Sequence, residues 1–534
     1  MTRWPVRDVP EAEDYRRTGI WQGRTIADLA WRLAEQDDGS QVFLNEEQPS
    51  SITALVAEAE ILLSGLQDRG IANGDVVSFM VPNWREAAVI NLAAAMGGLV
   101  INPIVPIYRD AETLQILSDC RSKAIFIPTT FRKFDYAAMM ERLRPHLPDL
   151  RHVILVRDET GGANSYAALI AEGRASRPKI TKVDPGSVKM VMYTSGTTGK
   201  PKAVLHSHET LERAVVASAE HWNLAPGDIV FMPSPVTHIS GYSNGLERPF
   251  ISGTRTILMD NWNAQEAVRQ IDRHGAVMTV AATPFLQELI TAAKQAGSRI
   301  PSFRIFACGG AAVPSELIRR ADEVFAQACA FRVYGSSEAP FVTLGFIEPQ
   351  LRELAATTDG RIVDYDVRIL TPDDSILTPG QEGEIVVRGP ALFLGYADPL
   401  QTAESFTSDG YFRTGDIGKV VENNGIVITD RKKDIIIRGG ENISAKEIED
   451  ALHQHDSVLE AAVVAMPHER LGEGVCAFIV AAEGASPSVS VISDFLEKLG
   501  LARQKHPERV ELVPELPRTA SGKVRKDILR AKIL

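Results

Sequence analysis

Apolar and polar positions divide this chain into distinct textures. Through most of the first 430 residues, short strand-like apolar runs alternate with helical patterns. Residues 75–81 precede a helix-like stretch near 84–96, and residues 124–127 and 152–156 are further apolar runs. Repeated strand–helix alternation predicts α/β layers with largely parallel sheets. From about residue 360 to residue 389 the texture changes to short strands separated by turn signals, among them Pro372, Asp373, Asp374, Pro379 and Gly380. That segment reads as an antiparallel or barrel-like subdomain. A second shift comes at Asp430, Arg431, Lys432, Lys433 and Asp434, a charge cluster between two apolar strands. The roughly 100 residues that follow suffice for a small α+β domain. The expected fold class is therefore α/β: a large N-terminal domain of layered α/β sheets plus a barrel-like β subdomain (residues 1–430), and a small mobile α+β C-terminal domain (residues 431–534).

The most apolar stretch, residues 87–105, is interrupted by Asn91, Gly97, Gly98, Asn102 and Pro103. A membrane span does not usually tolerate such interruptions, so the pattern predicts a buried helix followed by a strand. At 534 residues, with 44% hydrophobic and 24% charged positions, the chain is globular and large enough for several structural units. The 57 basic and 69 acidic side chains give a net charge of −12, which leaves no global electrostatic footprint for nucleic acid. Any anionic substrate must be held by local positive groups. Cys120, Cys308, Cys329 and Cys476 lie far apart without metal-ligand spacing, which fits buried free thiols in a reducing compartment. The N-terminus has no apolar signal core, so a cytoplasmic protein is expected.

The strongest local signal follows the apolar run at 188–193. Thr194, Ser195, Gly196, Thr197 and Thr198 are consecutive small or hydroxyl residues, and Gly199, Lys200 and Lys202 come next. Such a loop turns backbone N–H groups and hydroxyls toward phosphate oxygens, with lysines supplying charge. It is not the usual mononucleotide P-loop, since only Thr197 and Thr198 separate Gly196 from Gly199. Pro201 also disfavours helical geometry at Lys200. A kinase or GTPase reading is therefore weak.

This loop resembles that of the adenylate-forming superfamily of acyl-CoA synthetases, luciferases and peptide-synthetase adenylation domains, and further motifs recur in that family's order. Gly309, Gly310 and Ala311 look like its adenine-binding turn. Tyr334, Gly335, Ser336, Ser337 and Glu338 resemble its next motif, in which the ring stacks on adenine, the hydroxyl approaches the α-phosphate and the carboxylate holds Mg²⁺. Asp416 matches the aspartate that accepts hydrogen bonds from the ribose hydroxyls. Arg431 matches an arginine that also contacts the ribose, and Lys433 falls at the hinge position. Gly439 and Gly440 match the loop passed by the CoA pantetheine, and Lys523 the lysine of adenylation. Ser337 stands where threonine is commoner and Ala203 where glycine is commoner.

What the resemblance implies is an enzyme using ATP, Mg²⁺ and CoA to make an acyl-adenylate and then a thioester. Lys523, Glu338, Ser337 and His238 would do the catalytic work. Residues 233–241 look like the acyl-site motif, with His238 at its usual histidine and Gly241 also expected to bind substrate, and Tyr242, Thr283, Phe285 and the Gly309 region are expected to line the acyl pocket. Amino-acid-activating relatives place an aspartate here to pair with the substrate ammonium, and residues 231–243 contain no carboxylate. A hydrophobic acid is therefore expected: medium-chain, alicyclic or arylalkanoic. The texture is most like medium-chain and cyclohexanecarboxylate-type acyl-CoA ligases. The alternatives are an acyl-AMP ligase that delivers to a carrier protein and a non-catalytic nucleotide-binding relative. A homodimer is compatible with the sequence but not specified by it.

Overall fold

The computed structural model describes residues 4–44, 50–194, 201–310, 313–327, 330–439, 441–519 and 523–533. The apolar stretch after residue 84 forms the helix Arg85–Gly97, every residue of which is buried, and Gly98 ends it in the left-handed conformation. Its charged first turn is buried because both charges are matched. Arg85 pairs with Glu58, and Glu86 accepts two bonds of 2.9 Å from Arg157. The strand Val100–Pro103 follows, so this stretch is a helix and a strand inside the core. No helix among the described residues is long and apolar enough to cross a membrane.

Two sheets build the large domain. The first has six strands in the spatial order His152–Val156, Ala124–Pro128, Val76–Phe79, Val100–Pro103, Val188–Thr194 and Lys202–Ser207. Its pairs are parallel except the last, where Val188–Thr194 and Lys202–Ser207 run antiparallel with Thr194 opposite Lys202. After the glycine-rich loop the chain therefore returns as a strand, in keeping with Pro201. The second sheet is wholly parallel, in the order Arg255–Leu258, Ile229–Met232, Met278–Ala281, Ile305–Gly309 and Ala330–Val333. Parallel strands buried on both faces account for the unbroken apolar runs in the sequence.

The turn-rich segment forms four antiparallel strands, Asp366–Leu370, Gly383–Arg388, Phe412–Val421 and Gly425–Arg431, in chain order. The remaining residues form a separate domain around the paired strands Val458–His468 and Gly472–Ala481, with Ile436–Arg438, Glu441–Ile443 and Arg509–Leu512 beside them. This domain has cores of its own, built only from residues 436–533. Polar bonds tie it to the preceding sheet. Ser444 donates to the Thr429 carbonyl at 2.8 Å, and the Ala445 amide donates to Asp430 Oδ2 at 2.8 Å. The fold is thus a two-domain α/β fold. Among the described residues, Cys120, Cys308 and Cys476 are buried and form no disulfide.

Candidate active site

Strand ends converge on one region. In open α/β sheets, ligands sit beyond the carboxyl ends of the strands, and Thr194, Gly309 and Val333 are such ends. Ser195, Gly196, Thr197, Thr198, Gly199 and Lys200 lie outside the described residues, as do Ala311 and Gly440. Lys202 opens the strand that leaves the loop, with its ammonium 4.7 Å from the centre of the Tyr396 ring. Ala203 lies in that extended strand opposite Tyr193, so its methyl group fits without strain.

A Cβ on Gly309 would sit 2.4 Å from the Val333 carbonyl oxygen, so the neighbouring strand alone demands glycine there. Gly310 has φ +84° with open space where a Cβ would be, which fits a backbone turn approached by a flat ligand. After the strand Ala330–Val333 the chain enters the loop that carries Tyr334 to Glu338. The Tyr334 amide donates to Thr343 Oγ1 at 2.8 Å, and its hydroxyl donates to Asp416 Oδ2 at 2.7 Å. Gly335 closes against Phe341, and Ser336 Oγ accepts the Ala339 amide at 3.1 Å.

Asp416 is buried, and its other oxygen, Oδ1, accepts Arg431 Nε at 2.9 Å. These two residues face each other across adjacent strands, so the pairing is built into the sheet register. The Asp416 carboxylate raises the Arg431 guanidinium above its usual range.

Lys523 lies in a turn where its amide donates to Thr519 Oγ1 at 3.1 Å and its carbonyl accepts the Thr519 amide at 2.7 Å. Its side chain belongs electrostatically to the large domain. Burial lowers its ammonium to about 8, Arg431 and Lys433 lower it as well, and Asp416 and Glu338 oppose them. Lys523 also acts on His238, whose pKa burial and this lysine push down to about 4. The C-terminal lysine is thus gathered electrostatically with Asp416, Glu338 and Arg431, and its charge is felt at His238. Lys433, between the domains, is lowered by burial and by Arg431, and its carbonyl accepts Arg530 Nη2 at 3.3 Å. The Gly439 amide donates to the Leu471 carbonyl at 2.8 Å on the small domain.

The acyl-motif segment is held by Asn83, which sequence reasoning missed. Its Nδ2 donates to the carbonyls of Met232, Ser234 and Met259 at 2.9–3.2 Å, and its Oδ1 accepts the Val236 amide at 2.9 Å. His238 precedes a short helix, and Gly241 is packed so tightly that a Cβ would lie 2.1 Å from the Pro235 carbonyl oxygen. Thr283 opens the helix Thr283–Ala296, and its side chain is hydrogen-bonded to Cys308 at the end of the neighbouring strand. Phe285 stacks edge-on to Trp262 at 4.8 Å.

Tyr242 departs from the sequence expectation of a pocket-lining residue. It is 0% exposed, and its hydroxyl donates to Asn91 Oδ1 at 2.5 Å. The reason is a π-helical turn over Tyr242–Glu247, which turns the ring into the core. Glu247, just beyond the window without carboxylates, is buried and already partnered: its Oε1 pairs with buried Lys189 and accepts Asn91 Nδ2 at 2.6 Å. Sequence reasoning also missed His206 and Tyr396. His206 Nε2 donates to the Ser337 carbonyl at 2.7 Å, and burial holds this ring neutral with a pKa near 4. Tyr396 donates to Glu338 Oε1 at 2.9 Å.

The described residues contain no cluster of three or more histidine, cysteine or acidic groups able to cage a metal. A single carboxylate with a free oxygen does fit Mg²⁺, which takes one or two protein carboxylates together with substrate phosphates and water.

Residues 30–397 match the model of the AMP-binding enzyme family, and residues 447–523 match that of the AMP-binding enzyme C-terminal domain. The chain is 33% identical to the medium-chain fatty-acid–CoA ligase of Escherichia coli K12 over 97% of its length and 92% of the relative's. It is 30% identical to the 2,3-dihydroxybenzoate-AMP ligase of Bacillus subtilis 168 over 100% and 97%. The ATP-bound crystal structure of MatB from Rhodopseudomonas palustris superposes with a TM-score of 0.82 at 25% identity, over 95% of this chain and 98% of that one. Both family models and whole-length relatives agree: the chain belongs to the AMP-binding enzyme family of adenylate-forming ligases.

Proposed function

We propose that this chain is an ATP-dependent acid–thiol ligase that converts a hydrophobic carboxylic acid to its acyl-CoA through an acyl-adenylate. The observation that carries this reading is the gathering of Lys523 from the small domain with Glu338, Asp416 and Arg431 of the large one. In the first half-reaction a carboxylate oxygen of the acid attacks the α-phosphorus of ATP. The new P–O bond forms as the bond to the β-phosphate oxygen breaks, and pyrophosphate leaves with the electron pair. Two anions meet in that step, and Lys523 supplies positive charge where it develops. Tyr334 would cover the adenine, Asp416 and Arg431 would hold the ribose, and the loop from Thr194 to Lys200 with Lys202 would hold the phosphates. Mg²⁺ on Glu338, when bound, would add charge neutralisation at the phosphates. His238 would border the acyl group as a neutral ring.

In the second half-reaction the CoA thiol gives its proton to solvent, its sulfur attacks the acyl carbon, and the acyl C–O bond to the phosphate breaks as AMP leaves with the electron pair. We assign residues 431–534 to a domain that rotates about Lys433 between the halves, withdrawing Lys523 and bringing the Gly439–Gly440 turn to the thiol path. The hydrophobic acid is supported by the absence of any Asp or Glu between residues 231 and 243, and by the pairing of the next carboxylate, Glu247, with Lys189. It is also supported by the similarity to a medium-chain fatty-acid–CoA ligase. A second reading, an aryl-AMP ligase that serves a carrier protein, is favoured by the similarity to the dihydroxybenzoate-AMP ligase.

The test is to incubate the protein with ATP, Mg²⁺ and a pool of fatty, alicyclic and aromatic acids, with and without CoA, and to identify products by mass spectrometry. Acyl-CoA with AMP is the expected result. Acyl-AMP unchanged by CoA would move the function to a carrier-protein ligase, and no AMP with any acid would refute the ligase reading for these substrates.

A further inference from the structure

Tyr396 joins three segments that are far apart in sequence. Its strand-like stretch lies antiparallel to the strand leaving the phosphate loop, with Val204 opposite Tyr396. The Leu205 amide donates to the Gly395 carbonyl at 3.0 Å, and the Ala397 amide donates to the Ala203 carbonyl at 2.9 Å. On the other side, the Phe393 amide donates to the Glu338 carbonyl at 2.8 Å, tying the same stretch to the backbone of Glu338. The Tyr396 ring packs edge-on to Phe393 at 4.9 Å and carries the Lys202 ammonium above it at 4.7 Å. Its hydroxyl donates to Glu338 Oε1 at 2.9 Å. Oε2 of Glu338 makes no hydrogen bond or ion pair among the described residues.

We propose that Tyr396 is the positioning residue for the metal-binding carboxylate. Its hydroxyl fixes Glu338 Oε1 and leaves Oε2 for the divalent cation carried by the nucleotide, while its ring holds Lys202 at the exit of the phosphate loop. This inference rests on Glu338 being the metal carboxylate of the proposed function. Hydrogen-bonded second partners of this kind orient metal-binding carboxylates and tune their affinity. The neighbouring Lys202 ammonium stays on the ring face in a Tyr396→Phe variant, which removes the hydroxyl alone.

The experiment is a Mn²⁺ titration, followed by electron paramagnetic resonance, of the protein bound to an ATP analogue with a methylene between its α- and β-phosphorus atoms. Wild type, Glu338→Gln, Tyr396→Phe and the double variant are compared, and analogue affinity without metal is measured for each. Tyr396→Phe is expected to weaken Mn²⁺ roughly ten- to hundredfold, with metal-free analogue affinity unchanged. The double variant should be no weaker than Glu338→Gln alone. In turnover, the Mg²⁺ concentration needed for half-maximal adenylation should rise by a similar factor, and saturating Mg²⁺ should restore most of kcat. If Glu338→Gln weakens Mn²⁺ and Tyr396→Phe does not, the positioning role is wrong. Equal loss of metal-free analogue binding would make Tyr396 a general structural residue and overturn the proposal. If Glu338→Gln itself leaves Mn²⁺ binding intact, the metal role of Glu338 fails first.

Discussion

Replacing Asp416 with asparagine should move the alkaline limb of adenylation to lower pH, and replacing Arg431 with glutamine should move it to higher pH. Lys523 has its pKa lowered to about 8, by burial first, then by Arg431, with Asp416 and Glu338 opposing. Adenylation needs the ammonium form, so kcat/KM should fall as pH rises through about 8. Asp416→Asn keeps the shape of the site. Its oxygen can still accept Arg431 Nε, and its new amide can donate to the Tyr334 oxygen. What it removes is the negative charge that favours the protonated lysine. Removing one opposite charge at close range shifts a pKa by ~1–3 units, and solvent at this partly buried site argues for the low end. The limb should therefore drop by about one pH unit in Asp416→Asn and rise by about one in Arg431→Gln. Weakening charge-assisted bonds worth ~1.5–3 kcal/mol should also cut the plateau of kcat/KM by roughly ten- to hundredfold in each variant. The assay is acid-dependent exchange of pyrophosphate into ATP, run from acid to alkaline pH, because kcat/KM reports groups of the free enzyme. Two limbs that move in the same direction, or that both stay in place, would refute the electrostatic linkage between Lys523 and this pair.

Other outcomes follow from the same geometry. His238 is held near a pKa of 4 by burial and Lys523, so it stays neutral and kcat/KM should show no histidine limb between about pH 5.5 and 7.5. An inflection in that interval that disappears in His238→Asn would contradict this. Gly241→Ala would place a Cβ 2.1 Å from the Pro235 carbonyl oxygen, so the backbone must move. Thermal unfolding should register a loss of ~1–3 kcal/mol, and an unchanged Tm would show that the loop yields freely. Lys433→Pro should block thioester formation while sparing adenylation, read as separate half-reactions, and equal loss of both would count against the hinge.

The layers of the large domain were legible in the sequence because they rest on local periodicity. Apolar runs at 124–127 and 152–156 became the strands Ala124–Pro128 and His152–Val156. The interrupted stretch after residue 84 became the buried helix Arg85–Gly97 and its following strand. The glycine- and hydroxyl-rich turns were visible for a similar reason: a run of small residues directly after an apolar strand is a local signal. What stayed hidden depends on partners far along the chain. Tyr396 meets Glu338 across 58 residues and Asn83 meets Val236 across 153, and no local pattern encodes such pairs. Lys189, inside an apolar strand, was a visible anomaly, but its partner Glu247 follows from tertiary packing. Tyr242 was misread for a comparable reason. A π-helical turn changes which side chains face the pocket, and its extra residue leaves no mark in the sequence pattern.

The central claim is that Lys523 serves the first half-reaction and not the second. The direct measurement is to assay Lys523→Ala twice: for pyrophosphate exchange with acid and ATP, and for acyl-CoA formation from supplied acyl-AMP and CoA. The account predicts that exchange is lost by at least about a hundredfold, while thioester formation from acyl-AMP stays within a few-fold of wild type. Normal exchange in the variant, or equal loss of both halves, would contradict it.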